Sequence, residues 1–460
     1  MMGILDFLRL RIHMYHSSAK GMHRYQEARV MRLVNYATKH SPFYRERYRD
    51  IPVRSLSDFQ LLPTINKKIM MENFDDLNTC GLKLVEVMAY AVEKEKNRDF
   101  LGYYRDEYVI GLSSGTSGNK GIYVTPKELT RRLPFVFLAR SGIPLNLLPY
   151  RILFLLRVFS QGFADINAPF VHLKYLGTMT PIPDILKAIN ASRTNILMAP
   201  PSLVRLLLPH REGIRETLKL IVCYAEVLEA EEKQRFQKLF GTRVIEIYQA
   251  SEGQIGSACR CGNLHINEDL VYAELFDETG KPLTARNTPG KPETGDQTDE
   301  ASLETETPAC RMLVTNLVNL AQPLIRYEMN DLVVMGGPCP CGSSFRTIRK
   351  ILGRRDDVIR LTNRRNVPQH VFPDLISRWI ITVSDNIREF QVVQVAEDAL
   401  RIVMELLDDS ESARKDVAEA LSRRMVLELD RFDIQASLEI VFETIRLPGN
   451  MGKYKRFMCI

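Results

Sequence analysis

The spacing of apolar residues divides the chain into distinct stretches. Over the first hundred positions they recur at helical intervals, broken by the polar segments HSPFYRERYRD and DFQLLPTINKK, which predicts a run of helices. The opening MMGILDFLRLRIHMY sets apolar positions at helical spacing among arginines, as a docked amphipathic helix does. A secretory leader would carry its charge before an unbroken apolar run. At Tyr108 a short apolar run, 108–112, enters a Gly/Ser/Thr-rich loop that leaves through GIYVT, so the loop is expected at the tip of a β-hairpin. Between 181 and 247 the pattern alternates. Residues 183–190, 202–208 and 229–240 read as helices, and 195–198, 220–224 and 242–247 as strands. Such alternation predicts an α/β fold with a mostly parallel sheet covered by helices.

Residues about 287–308, with GKPETGDQTDEASLETETP, are acidic and nearly free of large apolar side chains. They cannot bury enough surface to offset their ordering entropy, so a mobile surface loop is expected. Strand-like MLVTNLVNL, PLIRYEM and DLVVMG follow, and strand and helix patterns restart after GRRDD. The expected organisation is a large domain, 1–355, and a small C-terminal α+β domain, 356–460. No internal repeat is visible.

Composition narrows the function classes. The 460 residues are 45% hydrophobic and 26% charged, enough apolar material for one large core and a smaller one. A net charge of +6 over this length is too mild for a nucleic-acid binder. No apolar run is long enough to span a bilayer. The eight cysteines include two C-x-C pairs, Cys259/Cys261 and Cys339/Cys341, which in a long enzyme suggest metal ligands rather than disulfides and a cytoplasmic location.

The loop at 111–121, GLSSGTSGNKG, carries the clearest chemistry. Its glycines let backbone N–H groups approach an anion. Ser113, Ser114, Thr116 and Ser117 supply hydroxyl donors, Gly115 and Gly118 the tight turns, and Lys120 a positive charge. Together these suit a polyphosphate. No Ser or Thr follows Lys120, so this is not the strand–GxxxxGK[ST]–helix arrangement.

SSGTSGNKG resembles the phosphate loop of the adenylate-forming (acyl/aryl-CoA synthetase) superfamily. HSPFYRERYRD, LLPTINK, YQASEG, PLIRYEMNDLV, CPCG, GRRDD and the terminal GKYKRF occur in the order of its phenylacetate–CoA ligase-like branch, related to the deazaflavin-adenylylating synthetases. The resemblance spans nearly the whole chain. It implies a large N-terminal adenylate-forming domain with parallel sheets and helices, a small mobile C-terminal lid, and ATP with Mg²⁺.

It also implies roles. Tyr248 would stack on adenine, Ser251 meet the α-phosphate and Glu252 hold Mg²⁺, in a loop after the strand 242–247. Read without the resemblance, Ser251 is a helix N-cap. Ala225 and Glu226 would line the adenine, and Asp331 would accept from the ribose hydroxyls. The family's usual residues at 328 and 330 are replaced by Glu328 and Asn330, which bears on the loop shape there. Arg354 would contact the ribose and Asp356 absorb a rotation between domains. Lys453, delivered by the Pro/Gly segment PGNMGKYKR, would neutralise charge in the transition state.

Cys259, Cys261, His265, Cys339 and Cys341 offer five soft ligands, and structural Zn²⁺ takes four. Some relatives hold zinc with one cysteine, a histidine and a later C-x-C pair. Matching that pattern points to Cys259, His265, Cys339 and Cys341, with Cys261 as the rival. The implied reaction joins a small-molecule carboxylate to AMP with loss of pyrophosphate, then passes the acyl group to an acceptor, coenzyme A first. Alternatives are an amine acceptor, adenylylation of a cofactor hydroxyl, and a non-catalytic zinc-bearing binding module. Apolar residues between 135 and 163 are expected to line the acyl pocket, and a homodimer remains an option.

Overall fold

The computed structural model describes residues 2–97, 101–113, 121–140, 143, 145–156, 170–178, 180–214, 218–277, 279–283, 309–384, 386–445 and 456–459. The predicted loops at 114–120 and 287–308, and the segment carrying Lys453, lie outside them.

The N-terminal stretch is helical, as its periodicity predicts. Helix Ala19–His40 starts where the Ser18 side chain accepts from Gly21 N–H, and it buries Met22, Gln26, Val30, Leu33, Val34 and Ala37 along one stripe. Helix Met2–His16 is docked on the body. It buries Leu10 and Met14, and Arg132 pairs with Asp6 at 2.9 Å. No helix among the described residues is long and apolar enough to cross a membrane.

β1 (Tyr108–Leu112) and β2 (Ile122–Pro126) form the expected antiparallel hairpin, with Leu112 opposite Ile122. An eleven-stranded sheet follows. Its strands are β3 (Tyr150–Leu155), β4 (Val171–Leu176), β5 (Ile196–Ala199), β6 (Leu220–Cys223), β7 (Arg243–Ala250), β8 (Gly253–Ala258), β9 (Leu264–Ile266), β10 (Val271–Phe276), β11 (Cys310–Asn316), β12 (Tyr327–Met335) and β13 (Thr347–Arg354), in the order 10-11-12-13-9-8-7-6-5-3-4.

Only β7-β6-β5-β3-β4 are parallel; the rest are antiparallel. The expectation of a mostly parallel sheet therefore holds for half of it. The alternation that suggested it ends at β7, after which the described residues up to 354 give strand after strand without helices, which is the pattern of antiparallel pairing. The parallel half is apolar on both faces: β5 and β6 are buried at every position. Helices Ile182–Ala191, Pro201–Leu207 and Ala230–Phe240 supply one covering face through Ile185, Leu203, Val204, Leu207 and Phe236. Each such side chain stabilises by about 1.5–3 kcal/mol on burial.

Beyond β13 the chain forms β14 (Ile359–Thr362), β15 (Pro368–Val371), β16 (Ile387–Ala396), β17 (Ala399–Leu406), β18 (Ser437–Phe442) and β19 (Phe457–Met458), with helices Pro373–Ile381 and Glu411–Asp430. Trp379, Phe390, Ile402, Met404, Leu421 and Phe457 belong to a core drawn entirely from residues 359–459.

Candidate active site

β7 is the strand that builds the site, because it changes partners along its length. Its first half pairs parallel with β6, Cys223 opposite Glu246, and its second half antiparallel with β8, Ile247 opposite Ser257. YQASEG thus does not follow the strand as expected. Tyr248, Gln249 and Ala250 end β7, and Ser251 and Glu252 make the turn into β8. A strand follows Ser251, so the helix N-cap reading falls. The turn demands a glycine: a Cβ at Gly253 would lie 3.0 Å from Asn316 Nδ2, and that amide donates to the Glu252 carbonyl at 2.8 Å.

Two carboxylates face this junction. Tyr248 O–H donates to Asp331 Oδ2 at 2.6 Å, and Tyr123 O–H donates to Glu252 Oε1 at 2.8 Å. The Tyr123 and Tyr327 hydroxyls are 3.0 Å apart. Burial raises the Glu252 carboxyl above the ordinary glutamate range, and nearby Asp331 adds to the rise, against hydrogen bonds that favour the anion. Asp331 lies on β12 rather than in a loop, opposite Arg354 of β13, with Arg354 Nε 4.0 Å from Asp331 Oδ1. Asn330, one of the two departures from the family's motif, donates to Asp356 Oδ2 at 2.7 Å. Asp356 itself sits in a single helical turn, Arg355–Asp357.

The β1–β2 hairpin reaches Glu252 through Tyr123 of β2, two residues after Gly121. Gly121 N–H donates to Ser113 Oγ at 2.8 Å. A Cβ at Gly121 would meet Lys67 Cε at 2.9 Å, Ser113 Oγ at 3.1 Å and the Tyr123 ring at 3.2 Å, so the three side chains converge on this glycine. Ser114, Gly115, Thr116, Ser117, Gly118 and Lys120 lie outside the described residues, as does Lys453.

Lys67 closes LLPTINK, one of the motifs behind the resemblance, but no role was assigned to it in the sequence, and the structure brings it to the site. Asn66 caps helix Lys67–Glu72 by accepting from Ile69 N–H at 3.0 Å. Ile65 is stitched to the segment of Tyr327 by Ile65 N–H to the Arg326 carbonyl, 3.1 Å, and Glu328 N–H to the Ile65 carbonyl, 2.8 Å. Burial lowers the Lys67 ammonium below the usual lysine range, and Glu252 pulls it back up. Tyr123, Tyr327 and Asn316 were missed as well. They belong to apolar or turn-like stretches, where nothing local distinguishes them.

Ala225 has a left-handed backbone, φ 66°, just after β6. The Glu226 carboxylate accepts from Ser202 N–H at 3.0 Å and from Ser202 O–H at 2.8 Å. It caps the start of helix Pro201–Leu207. Of the stretch expected to line the acyl pocket, Phe137, Leu138, Ile152 and Phe154 pack with Tyr224 in one apolar cluster, and 157–163 lie outside the described residues.

The cysteine pairs meet. Ligand atoms of Cys259, His265, Cys339 and Cys341 all lie within 4.8 Å of one another. Cys259 Sγ is 3.7 Å from Cys339 Sγ, and Cys341 Sγ is 3.6 Å from His265 Nε2. Tetrahedral zinc with its usual bond lengths separates two thiolates by about 3.8 Å. His265 Nδ1 lies 2.9 Å from the Phe345 carbonyl, which leaves Nε2 for a metal. Cys261 is exposed and outside the group, and its N–H points at Cys259 Sγ, 3.3 Å away. The four that converge are those the motif pattern named, and Cys261, the rival for the fourth place, is not among them.

No protein-family model matches the chain. A phenylacetate–coenzyme A ligase of Thermus thermophilus is 24% identical over 429 residues, 88% of this chain and 85% of that protein. The solved structure of a 2-hydroxyisobutyryl-CoA ligase in its postadenylation state, with 2-HIB-AMP, matches 98% of this chain and 91% of its own at 17% identity and a TM-score of 0.68. The same enzyme in its thioesterification state gives 0.55 at 18% identity, over 97% and 91%. The resemblance to adenylate-forming CoA ligases drawn from the motifs is borne out, and the fold is theirs.

Proposed function

We propose that this chain, with the fold of the adenylate-forming CoA ligases, activates a small-molecule carboxylate with ATP. It releases pyrophosphate and transfers the acyl group from the acyl-adenylate to the thiol of coenzyme A. The observation that carries this reading is the pairing at the β7–β8 turn. Glu252 and Asp331 are held by Tyr123 and Tyr248, and Tyr123 belongs to the hairpin whose loop sequence carries the glycines, hydroxyls and lysine that suit a polyphosphate.

In this reading the substrate carboxylate attacks the α-phosphorus, and the enzyme contributes positioning and charge stabilisation rather than covalent chemistry. The hairpin loop cradles the β- and γ-phosphates. Glu252, a partly buried oxygen donor held by the Tyr123 hydroxyl, fits Mg²⁺, which would neutralise phosphate charge there. Lys67 approaches from the fixed body and Lys453 from the C-terminal segment. Tyr248, with Asp331 and Arg354, sets the nucleoside, and Ser251 lies by the α-phosphate. Residues 356–460 act as the small domain, turning about Asp356 between the two half-reactions.

Cys259, His265, Cys339 and Cys341 hold structural zinc in this account. The donor set is closed, with no position left for substrate, so the metal would brace β8, β9 and the turn before β13. Incubation with ATP, Mg²⁺, an acid panel and coenzyme A, hydroxylamine or free amines tests the acceptor. A CoA thioester with stoichiometric AMP is the expected product. Amide formation that ignores coenzyme A would contradict the thiol assignment.

A further inference from the structure

One buried ion network joins the body to the C-terminal unit, and the active site makes no use of it. Arg205, on helix Pro201–Leu207, donates to Glu232 Oε1 at 2.7 Å and to Glu389 Oε2 at 2.9 Å. Glu389, on β16, also takes Arg456: Arg456 Nε lies 3.1 Å from Glu389 Oε1, and its NH2 group 2.9 Å from the same oxygen. Arg205, Glu232 and Glu389 are each under one-tenth exposed.

The three side chains come from three places. Arg205 belongs to the helix capped by Glu226, next to the segment 225–226. Glu389 belongs to the C-terminal core. Arg456 opens the last strand pair, where Val392 N–H donates to the Arg456 carbonyl at 2.7 Å and β19 runs parallel to β16. Its guanidinium also lies 4.8 Å from the centre of the Phe390 ring. Arg456 is three residues after Lys453, so at full extension the two Cα atoms are at most about 11 Å apart.

We propose that Glu389 is a positioning residue for adenylation. It ties Arg456, and with it the chain next to Lys453, to Arg205 of the body, and it must let go of Arg205 before the second half-reaction. This rests on the adenylation reading. A turn about Asp356 carries Glu389 and Arg456 together, since both belong to the C-terminal unit, and it parts them from Arg205. The Arg205–Glu389 bond therefore exists in only one arrangement and biases the equilibrium toward it. Arg205 keeps Glu232 afterwards, and Glu389 keeps Arg456, so neither charge is stranded by the turn, which is what makes the bond reversible.

The experiment compares wild-type protein with Glu389→Gln and Glu389→Asp. The aspartate keeps the charge but withdraws it by one methylene from Arg205. Backbone hydrogen exchange of the ligand-free full chain reads the contact itself. Amides in 202–207 and 387–392 should exchange faster in both variants while the sheet keeps its protection. ATP–pyrophosphate exchange, with an acid the wild type accepts, should fall roughly tenfold, a coupling of the usual size between two states. Reaction of pre-formed acyl-adenylate with thiol should stay within about twofold.

Unchanged protection and unchanged pyrophosphate exchange would overturn the proposal. So would a parallel loss of both half-reactions with loss of protection throughout, which marks a purely structural role. If the wild type exchanges pyrophosphate with no acid yet 202–207 still loosens in the variants, the contact between the two units stands and the adenylation reading falls.

Discussion

Glu252 and Glu389 are both withdrawn from solvent, yet their carboxyls move in opposite directions. Burial raises both. At Glu252 hydroxyl and backbone donors and the nearby Lys67 ammonium do not offset the rise, which Asp331 reinforces, so the carboxyl stays above the ordinary range. At Glu389 Arg456 and Arg205 more than offset burial, and it falls below that range. A buried carboxylate with guanidinium partners is satisfied and can serve as a joint. One set among hydroxyls, a second acid and a lysine whose own charge burial disfavours still wants positive charge, and that want is what a magnesium–phosphate ligand would meet.

Substitution should separate the two most sharply. Glu252→Gln is expected to slow ATP–pyrophosphate exchange by about 10²–10³, far more than the loss expected at Glu389. Equal losses would dissolve the distinction. Lysine removal comes next. Lys453→Ala should slow adenylation by roughly 10² and Lys67→Met by about tenfold, since the one is delivered to the transition state and the other sits in the fixed body. An unaffected rate would take that lysine out of the site.

The pH profile gives a smaller but signed effect. Metal binding needs the Glu252 carboxylate, so adenylation should fall as pH drops through its raised pKa. Tyr123→Phe removes a hydrogen bond that favours the anion and should move that acid limb to higher pH. For stability the signs reverse between the two. Glu389, lowered in the fold, contributes stability present above its unfolded pKa and lost as pH falls. Glu252, raised, contributes stability present below its unfolded pKa and lost as pH rises through the folded value. Denaturant unfolding of Glu389→Gln against pH should therefore lose less on the acid side than wild type.

Cys341→Ser should disturb neither glutamate. It should abolish bound zinc and lower Tm by roughly 5–10 °C, with pyrophosphate exchange at low temperature within about twofold of wild type. Elemental analysis and calorimetry read both; zinc-free wild-type protein of full stability would contradict a structural site.

The sequence made some of this plain and hid the rest for physical reasons. Buried β5 and β6 and their covering helices were legible because apolar periodicity reports burial directly. In the antiparallel half β11 and β12 were legible as strand-like runs, but β8 and β9 were not: GQIGSA reads like a turn and needs its glycine at 256, where a Cβ would lie 2.9 Å from the His265 carbonyl. Glu252, Asp331 and the four clustered Cys/His residues could be named from ordered motifs. Lys67 ends one such motif, LLPTINK, but its place at the site was not legible there, because it comes from contact across the fold, through Ile65 to the Tyr327 segment. Glu389 was silent for the same reason, its partners lying 184 and 67 residues away.

The most direct test of adenylate formation is exchange of labelled pyrophosphate into ATP across a panel of aryl, fatty and small hydroxy acids, run beside Glu252→Gln. The account predicts exchange that requires both Mg²⁺ and one class of acid, and that collapses in the variant. Tight ATP binding with no acid-dependent exchange in wild-type protein would contradict it.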